Sequence, residues 1–286
     1  RERAILMMAA DGEALTGATI ANPRLWRLGM LLDMEEHALT VAATPTVGDG
    51  DAICRRIELT PGVALLRALE DAVYDNPLLL ADFGRCSILL RTPRYAVLPP
   101  EATETPEAAA DAASLLWTDP DFSPALLTDT AAGASVLTAC DADVAAFLGR
   151  TFADARVRHE LSAGLRYFAA KAPRSGNAPK LFAVVEKSGA QLFCFDGSRL
   201  LGAASYGCTD AADMAYYAVA MAQACGVAGP ELQFYVAGTP AVREAVAGTL
   251  RRFAPCVMPW IFQPSPSMAG VAADIPFSLL ILPLCE

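Results

Sequence analysis

The side chains able to do chemistry are few in this chain, and they stand apart. Its two histidines, His37 and His159, are widely separated. A lone imidazole on a turn or strand reads as a surface group or a satisfied core residue rather than a general base. Eight cysteines (Cys54, Cys86, Cys140, Cys194, Cys208, Cys225, Cys256 and Cys285) occur singly, without the paired spacings of zinc or dithiol sites. Most sit in apolar runs, the placement of buried free thiols in a reducing cytoplasm. No Gly-x-Ser-x-Gly elbow, Walker loop or dinucleotide glycine pattern occurs, and Gly226-Val227-Ala228-Gly229-Pro230 reads as a helix stop. Tyr216-Tyr217 has the rings to stack on a ligand, but a half-buried helix face accounts for one and an interface for the other. Trp117, Trp260 and Phe262 read as an exposed apolar patch or as core.

Composition narrows the classes further. The 286 residues are 54% hydrophobic and 19% charged, enough for two domains with their own cores. A net charge of -10 opposes binding to nucleic acid, whose affinity is built from clustered Lys and Arg on phosphate. Arg55-Arg56 and Arg251-Arg252 therefore read as solvated faces. Arg1-Glu2-Arg3 followed by Ala4 to Ala10 has the outline of a signal peptide, but Asp11 and Glu13 follow at once and the reading is rejected. The apolar runs Val257 to Phe262 and Ile275 to Cys285 are broken by proline and fall short of the roughly 20 residues that span a bilayer, so no membrane segment is expected. Residues 1–28 are expected to be a weakly ordered lead-in.

The most regular stretch predicts the elements that position everything else. Leu181 to Lys187, Gln191 to Asp196 and Leu200 to Tyr206 are apolar runs separated by Ser188-Gly189 and Asp196-Gly197, two-residue hairpin signals, and so predict a meander of three strands. Thr209 is placed to cap a helix over Asp210 to Cys225 that Gly226 closes, and Leu232 to Ala237 returns as a strand ending at Gly238. Three antiparallel strands, a crossover helix and a further strand form the core of the ribonuclease-H-like fold.

The same order occurs earlier. Gly29 to Met34 and Ala38 to Ala43 predict a hairpin over Glu35-Glu36-His37, and Arg56 to Leu59 a third strand. Val63 to Tyr74 is a predicted helix behind the cap Thr60-Pro61, and Cys86 to Arg91 a strand ending at Thr92-Pro93, as the later one ends at Thr239-Pro240. Between the copies, Glu101 to Ala113 reads as loop and short helix, and Leu126 to Thr130 with Ser135 to Cys140 as a hairpin. A helix over Asp141 to Arg150 with Asp141 as its cap, a strand over Arg156 to Leu161 and a helix over Ser162 to Ala170 follow. Ala172 to Pro179 is the predicted linker, Ala241 to Phe253 a helix, Cys256 to Pro259 the last strand, and Ile275 to Cys285 a docked strand. The fold class is α/β with mixed sheets, duplicated, with halves at 29–171 and 180–286.

Several segments then carry a family resemblance: Arg94-Tyr95-Ala96-Val97-Leu98-Pro99-Pro100, the hairpin Leu181 to Leu201, Asp213 to Tyr217, Leu232 to Gly238 and the closing Leu282-Pro283-Leu284-Cys285-Glu286. From about Leu28 onward the chain resembles the uncharacterised Bacteroidetes family catalogued as domain of unknown function 3822. The resemblance implies a duplicated actin-like or hexokinase-like architecture, similar to the pilus-assembly ATPases, and brings no established activity. Working members of that superfamily hold a nucleotide between two hairpin loops and a Gly-rich turn. That implies Asp33 and Glu186 at a metal ion, Ser188 and Gly189 at phosphate, and Gly238 and Thr239 at the adenosine. The first loop here lacks Gly, Ser and Thr, and Glu35 and Glu36 would repel a polyphosphate. The leading expectation is a cytoplasmic, non-catalytic actin-like module acting through contacts with an unknown protein partner, with a homodimer as a plausible assembly and no nucleic acid. The alternative is a degenerate enzyme or switch with ATP and Mg²⁺ in the cleft between halves.

Overall fold

The computed structural model describes residues 20–47, 50–119 and 122–285. Most of the expected lead-in lies outside the described residues; within its remainder Ile20 is buried and the first strand begins at Trp26. Two five-stranded sheets share one topology. The first contains β1 (Trp26–Asp33), β2 (Ala38–Pro45), β3 (Ile53–Glu58), β4 (Arg85–Arg91) and, after an insertion, β8 (Arg156–His159), in the spatial order β3-β2-β1-β4-β8. The second contains β9 (Lys180–Glu186), β10 (Gly189–Asp196), β11 (Arg199–Gly207), β12 (Gln233–Gly238) and β13 (Val257–Pro259), in the order β11-β10-β9-β12-β13. Each has an antiparallel meander followed by parallel strands, the arrangement a crossover helix produces. The insertion builds a third sheet, β5-β7-β6, from β5 (Tyr95–Leu98), β6 (Pro124–Ala131) and β7 (Ala134–Asp141), with α2 (Pro106–Leu116) against it.

Burial on both faces explains the near-continuous apolar runs of the central strands. In β1, Leu28, Met30 and Leu32 face an outer core with α1 (Leu65–Tyr74) and α3 (Ala142–Thr151), while Leu31 faces inward. In β9, Leu181, Ala183 and Val185 face α5 (Ala211–Ala224) and α6 (Pro240–Leu250), and Phe182 and Val184 face inward. Between the two sheets lie α4 (Leu161–Lys171) and α7 (Phe277–Ile281), wrapped in one aromatic core: Phe168 stacks on Phe182 at 4.5 Å, and the Trp260 indole donates to the Tyr167 hydroxyl at 3.3 Å. Trp260 and Phe262 are thus partners of this core, whereas Trp117 packs on the small inserted sheet.

Local chemistry shifts several expected boundaries. Pro61 and Gly62 form a turn, with Gly62 left-handed at φ +74°, so α1 begins at Leu65 and Thr60 does not cap it. Asp210 rather than Thr209 caps α5, its carboxylate accepting the Ala212 N–H at 2.6 Å, because Asp210 is the residue with extended backbone at the helix entrance. The expected strand over Ile275 to Cys285 is instead α7 and a 3₁₀ turn: Pro276 supplies the helix entrance, and Phe277, Leu279, Leu280 and Ile281 are all buried, an all-round pattern that a short apolar run does not distinguish from a strand. The expected linker is in part a 3₁₀ turn over Ala172–Ser175 whose first residue is fully buried, followed by carbonyls of Gly176 and Ala178 that accept from the buried Lys180 ammonium.

Gly164 lets α4 approach the second sheet. A methyl placed there would fall inside the van der Waals radius of the Phe193 ring, which is fully buried and cannot swing away. Gly164→Ala gains about 1 kcal/mol of helix propensity but meets an overpacking cost of roughly 1–3 kcal/mol. A net loss of about 1 kcal/mol is expected, read as a lowered urea midpoint at unchanged slope; a raised midpoint would show that the two layers are not in firm contact.

Candidate functional site

The chemistry-bearing residues come together where strands end. β1 runs out at Asp33 and β9 at Glu186, and each is followed by a tight turn into the antiparallel partner. Asp33 is buried, and its Oδ1 accepts the N–H groups of Glu35 at 3.2 Å and Glu36 at 2.9 Å, which shapes the turn that left-handed His37 completes. Glu186 turns its Oε1 onto the Phe277 N–H at 2.7 Å, holding the entrance of α7. A third carboxylate arrives from Glu160, at the β8–α4 junction and nearly inaccessible.

All three converge on Arg91, the last residue of β4. Its Nε donates to Glu160 Oε1 at 2.7 Å and its Nη2 to Glu160 Oε2 at 2.9 Å, a two-pronged pair. Nη2 also reaches Glu186 Oε2 at 3.0 Å, and Nη1 meets the Ser188 hydroxyl at 3.1 Å and Asp33 Oδ2 at 3.4 Å. Burial works against the Arg91 charge, but Glu160, then Glu186 and Asp33, outweigh it and hold the guanidinium pKa above its ordinary value. The first half thus supplies the cation and two carboxylates, and the second supplies Glu186 and Ser188. Among the described residues no group of three His, Cys, Asp or Glu side chains is arranged to hold a metal ion. The physical reason is visible at each carboxylate: a guanidinium already takes one or both oxygens, and backbone N–H groups take the remaining oxygen of Asp33 and Glu186.

The wall of the site is equally committed. His159 lies buried under the Tyr95 ring, with centroids 4.2 Å apart. Its Nδ1 accepts the Leu161 N–H at 3.2 Å, which leaves Nε2 as the protonated nitrogen, donating to the Thr92 carbonyl at 3.0 Å. Burial pushes the imidazole pKa down to about 4, the Thr92 carbonyl works the other way, and Arg91 adds to the depression. His159 is therefore a neutral structural residue. The Tyr95 hydroxyl accepts the Ser205 N–H at 2.5 Å and donates to the Ser205 carbonyl at 3.3 Å, joining the inserted sheet to the edge strand of the second half.

Of the six residues implied for a nucleotide, Asp33, Glu186, Ser188 and Gly189 are brought together around one cavity, which Gly238 and Thr239 do not line. That cavity encloses about 110 Å³, against about 300–1,000 Å³ for ordinary ligand pockets, and Glu35 and Glu36 add to its negative lining. The glycines do not open a cradle either. A side chain at Gly189 would collide with the Tyr206 carbonyl, and one at Gly238, at φ +105°, with the backbone of Val185. Both are glycine because the chain's own backbone lies against them, and the Thr239 N–H is taken by the Val185 carbonyl at 3.0 Å. This arrangement does not fit a polyphosphate with its metal. Arg91 and Glu160 escaped the sequence reading; the signal available was the repeat itself, since Arg91-Thr92-Pro93 and Gly238-Thr239-Pro240 end equivalent strands and differ at their first residue.

Two outcomes test this geometry. Arg91→Gln leaves three carboxylates facing one another and should cost about 3–5 kcal/mol at neutral pH by chemical denaturation, the range for breaking one side of a buried ion pair; a loss within 1 kcal/mol of zero, on the scale of an exposed pair, would mean the cluster is solvated. For His159 the folded pKa lies below the unfolded value of about 6.5, so its contribution to stability is complete above pH 6.5 and declines toward pH 4, by about 3 kcal/mol in all. The stability of His159→Gln should fall less steeply across that window than that of the parent; parallel curves would refute a neutral buried imidazole.

Comparison with known proteins places this geometry. A protein from Bacteroides thetaiotaomicron VPI-5482 with an actin-like ATPase fold and unknown function is 18% identical, with a TM-score of 0.74 over 92% of this chain and 97% of that one. The PilM-PilN type IV pilus biogenesis complex contains a chain that is 15% identical, with a TM-score of 0.56 over 92% of this chain and all of that one. At such identities the likeness shows the fold, and the chain has the actin-like ATPase fold with two halves around a cleft. A comparison with curated proteins finds no match. The family described as Protein of unknown function (DUF3822) matches residues 30–257, most of the length, and the chain belongs to that family.

Proposed function

We propose that this chain is an actin-like module that acts through contacts with another protein and does not turn over nucleotide. The observation that carries the reading is Arg91: its guanidinium lies between the two strand-end turns, paired with Glu160, Glu186 and Asp33. A cation carried by the chain itself satisfies the carboxylates that the superfamily resemblance would give to a metal. Further support comes from the closure of the cleft. Tyr95 bonds Ser205 across the halves, and the segment after Trp260 crosses back to the first sheet, where the Ala52 N–H donates to the Ser267 carbonyl at 2.8 Å. A cleft held this way suits a scaffold better than a hinge that opens and closes on a ligand.

The fold itself is compatible with protein binding, since a structure of similar fold is that of PilM with PilN, a pilus biogenesis complex. The eight thiols are all free, which agrees with work in the reducing cytoplasm, and no helix among the described residues is long and apolar enough to cross a membrane. A ligand that binds only the folded state stabilises it by about 2.7 kcal/mol at a hundredfold excess over its dissociation constant. ATP, ADP and GTP at millimolar concentration with Mg²⁺ are therefore expected to leave the melting temperature unchanged. A shift of several degrees that disappears in Glu186→Ala would reverse the reading in favour of a nucleotide-dependent switch.

A further inference from the structure

The inserted sheet differs in charge from the rest of the molecule. From Tyr95 to Gly149 the sequence has nine Asp and Glu and no Lys, Arg or His, so this segment accounts for nearly all of the net charge of -10. Among those that the structure describes, Asp129 is the one drawn inward, in a two-pronged pair with Arg166 of α4. Glu101, Glu104, Glu107 and Asp111 are exposed and pair with no cation among the described residues. Three of the four lie along the outside of α2 or just before it, and Glu107, Asp111 and Leu115 form one stripe at i, i+4 spacing.

The same helix ends in an apolar patch. Leu115 is 84% exposed and Leu116 45% exposed, beside Trp117, which is only partly covered by the small core beneath. A single exposed leucine is ordinary, whereas two adjoining a half-covered tryptophan at the rim of a charged face have the make-up of an interface centre. The end of α2 is also the negative pole of its backbone dipole, where a cation is favourable, yet its last turn carries no basic residue and Asp119 follows.

We infer that the outer face of α2 is the docking surface of the module, and that its occupant is a protein segment in which Lys or Arg alternates with large apolar side chains. The apolar side chains cover Leu115, Leu116 and the edge of Trp117, while the cations lie along Glu104, Glu107 and Asp111 and at the helix terminus. The charge of the insertion selects against nucleic acid and acidic partners by repulsion. This deepens the reading of the chain as a protein-binding module and rests on it.

The test uses the full chain and a fluorescein-labelled amphipathic helix of Leu and Lys, with a second peptide in which Glu replaces every Lys, read by anisotropy. Binding of the Lys peptide is expected to weaken at least tenfold in Leu115→Ser/Leu116→Ser and in Glu107→Lys/Asp111→Lys, and to fall with added salt. These positions are exposed, so both variants should keep the parent's melting temperature. Equal binding by either variant, binding of the Glu peptide, or no binding of the Lys peptide at millimolar protein would each overturn the proposal. A dimer in light scattering that the leucine substitutions dissociate would overturn it too, assigning the face to a second copy. A melting shift with ATP and Mg²⁺ on the same samples is a separate readout: it would sink the non-catalytic reading, whereas failed peptide binding without it would sink this surface alone.

Discussion

A guanidinium among three carboxylates has to be held on every side, because a buried charge without partners costs several kcal/mol. Arg91 meets that demand with donors spread over Glu160, Glu186, Asp33 and Ser188. The requirement propagates outward. Glu160 has to sit where β8 hands over to α4, Asp33 at the last position of β1, and Glu186 at the last position of β9, and each location is the end of a strand whose register is fixed by neighbours buried on both faces. A slip of one residue in any of them would turn a carboxylate away from the guanidinium and an apolar side chain toward it.

The pairing also sets what the cleft does. The four charged groups of the pairing, one positive and three negative, lie between halves that share an aromatic core and are further tied by Tyr95 to Ser205 and by the segment returning from Trp260. The net negative charge that remains is moderated by backbone N–H groups on Asp33 and Glu186. Glycines that elsewhere let phosphate approach here let the chain approach itself, at Gly189 against β11 and Gly238 against β9. The scaffold keeps its shape while the space between the two strand-end turns is taken up by its own side chains.

Symmetry between the halves makes the asymmetry informative. Equivalent strands end in Arg91-Thr92-Pro93 and in Gly238-Thr239-Pro240. In the second half the glycine turns tightly against Val185 and releases the chain into α6; in the first the arginine crosses the cleft and the chain enters the inserted sheet. One duplicated frame thus carries a closure device on one copy and a plain strand-helix turn on the other.

Apolar runs, Ser-Gly and Asp-Gly turns and the Thr-Pro pair were enough for the sequence alone to determine the order of the five strands in each large sheet, because strand-forming runs and turn chemistry are local. The same locality explains the misses: Thr60 and Thr209 had the composition of caps, but the backbone places Ala64 and Asp210 at the helix entrances, and the run from Ile275 was helix because it is buried all round. Asp33, Glu186, Ser188 and Gly189 were singled out by the family resemblance, at the ends of two predicted hairpin strands. Arg91 and Glu160, distant in the chain, meet when β8 pairs with β4 in the first sheet, and Glu186 joins them only when the halves pack together. Tertiary structure alone decided that the carboxylates face a guanidinium, that His159 is neutral and that the glycines touch backbone, since each depends on long-range proximity and burial that no local pattern encodes.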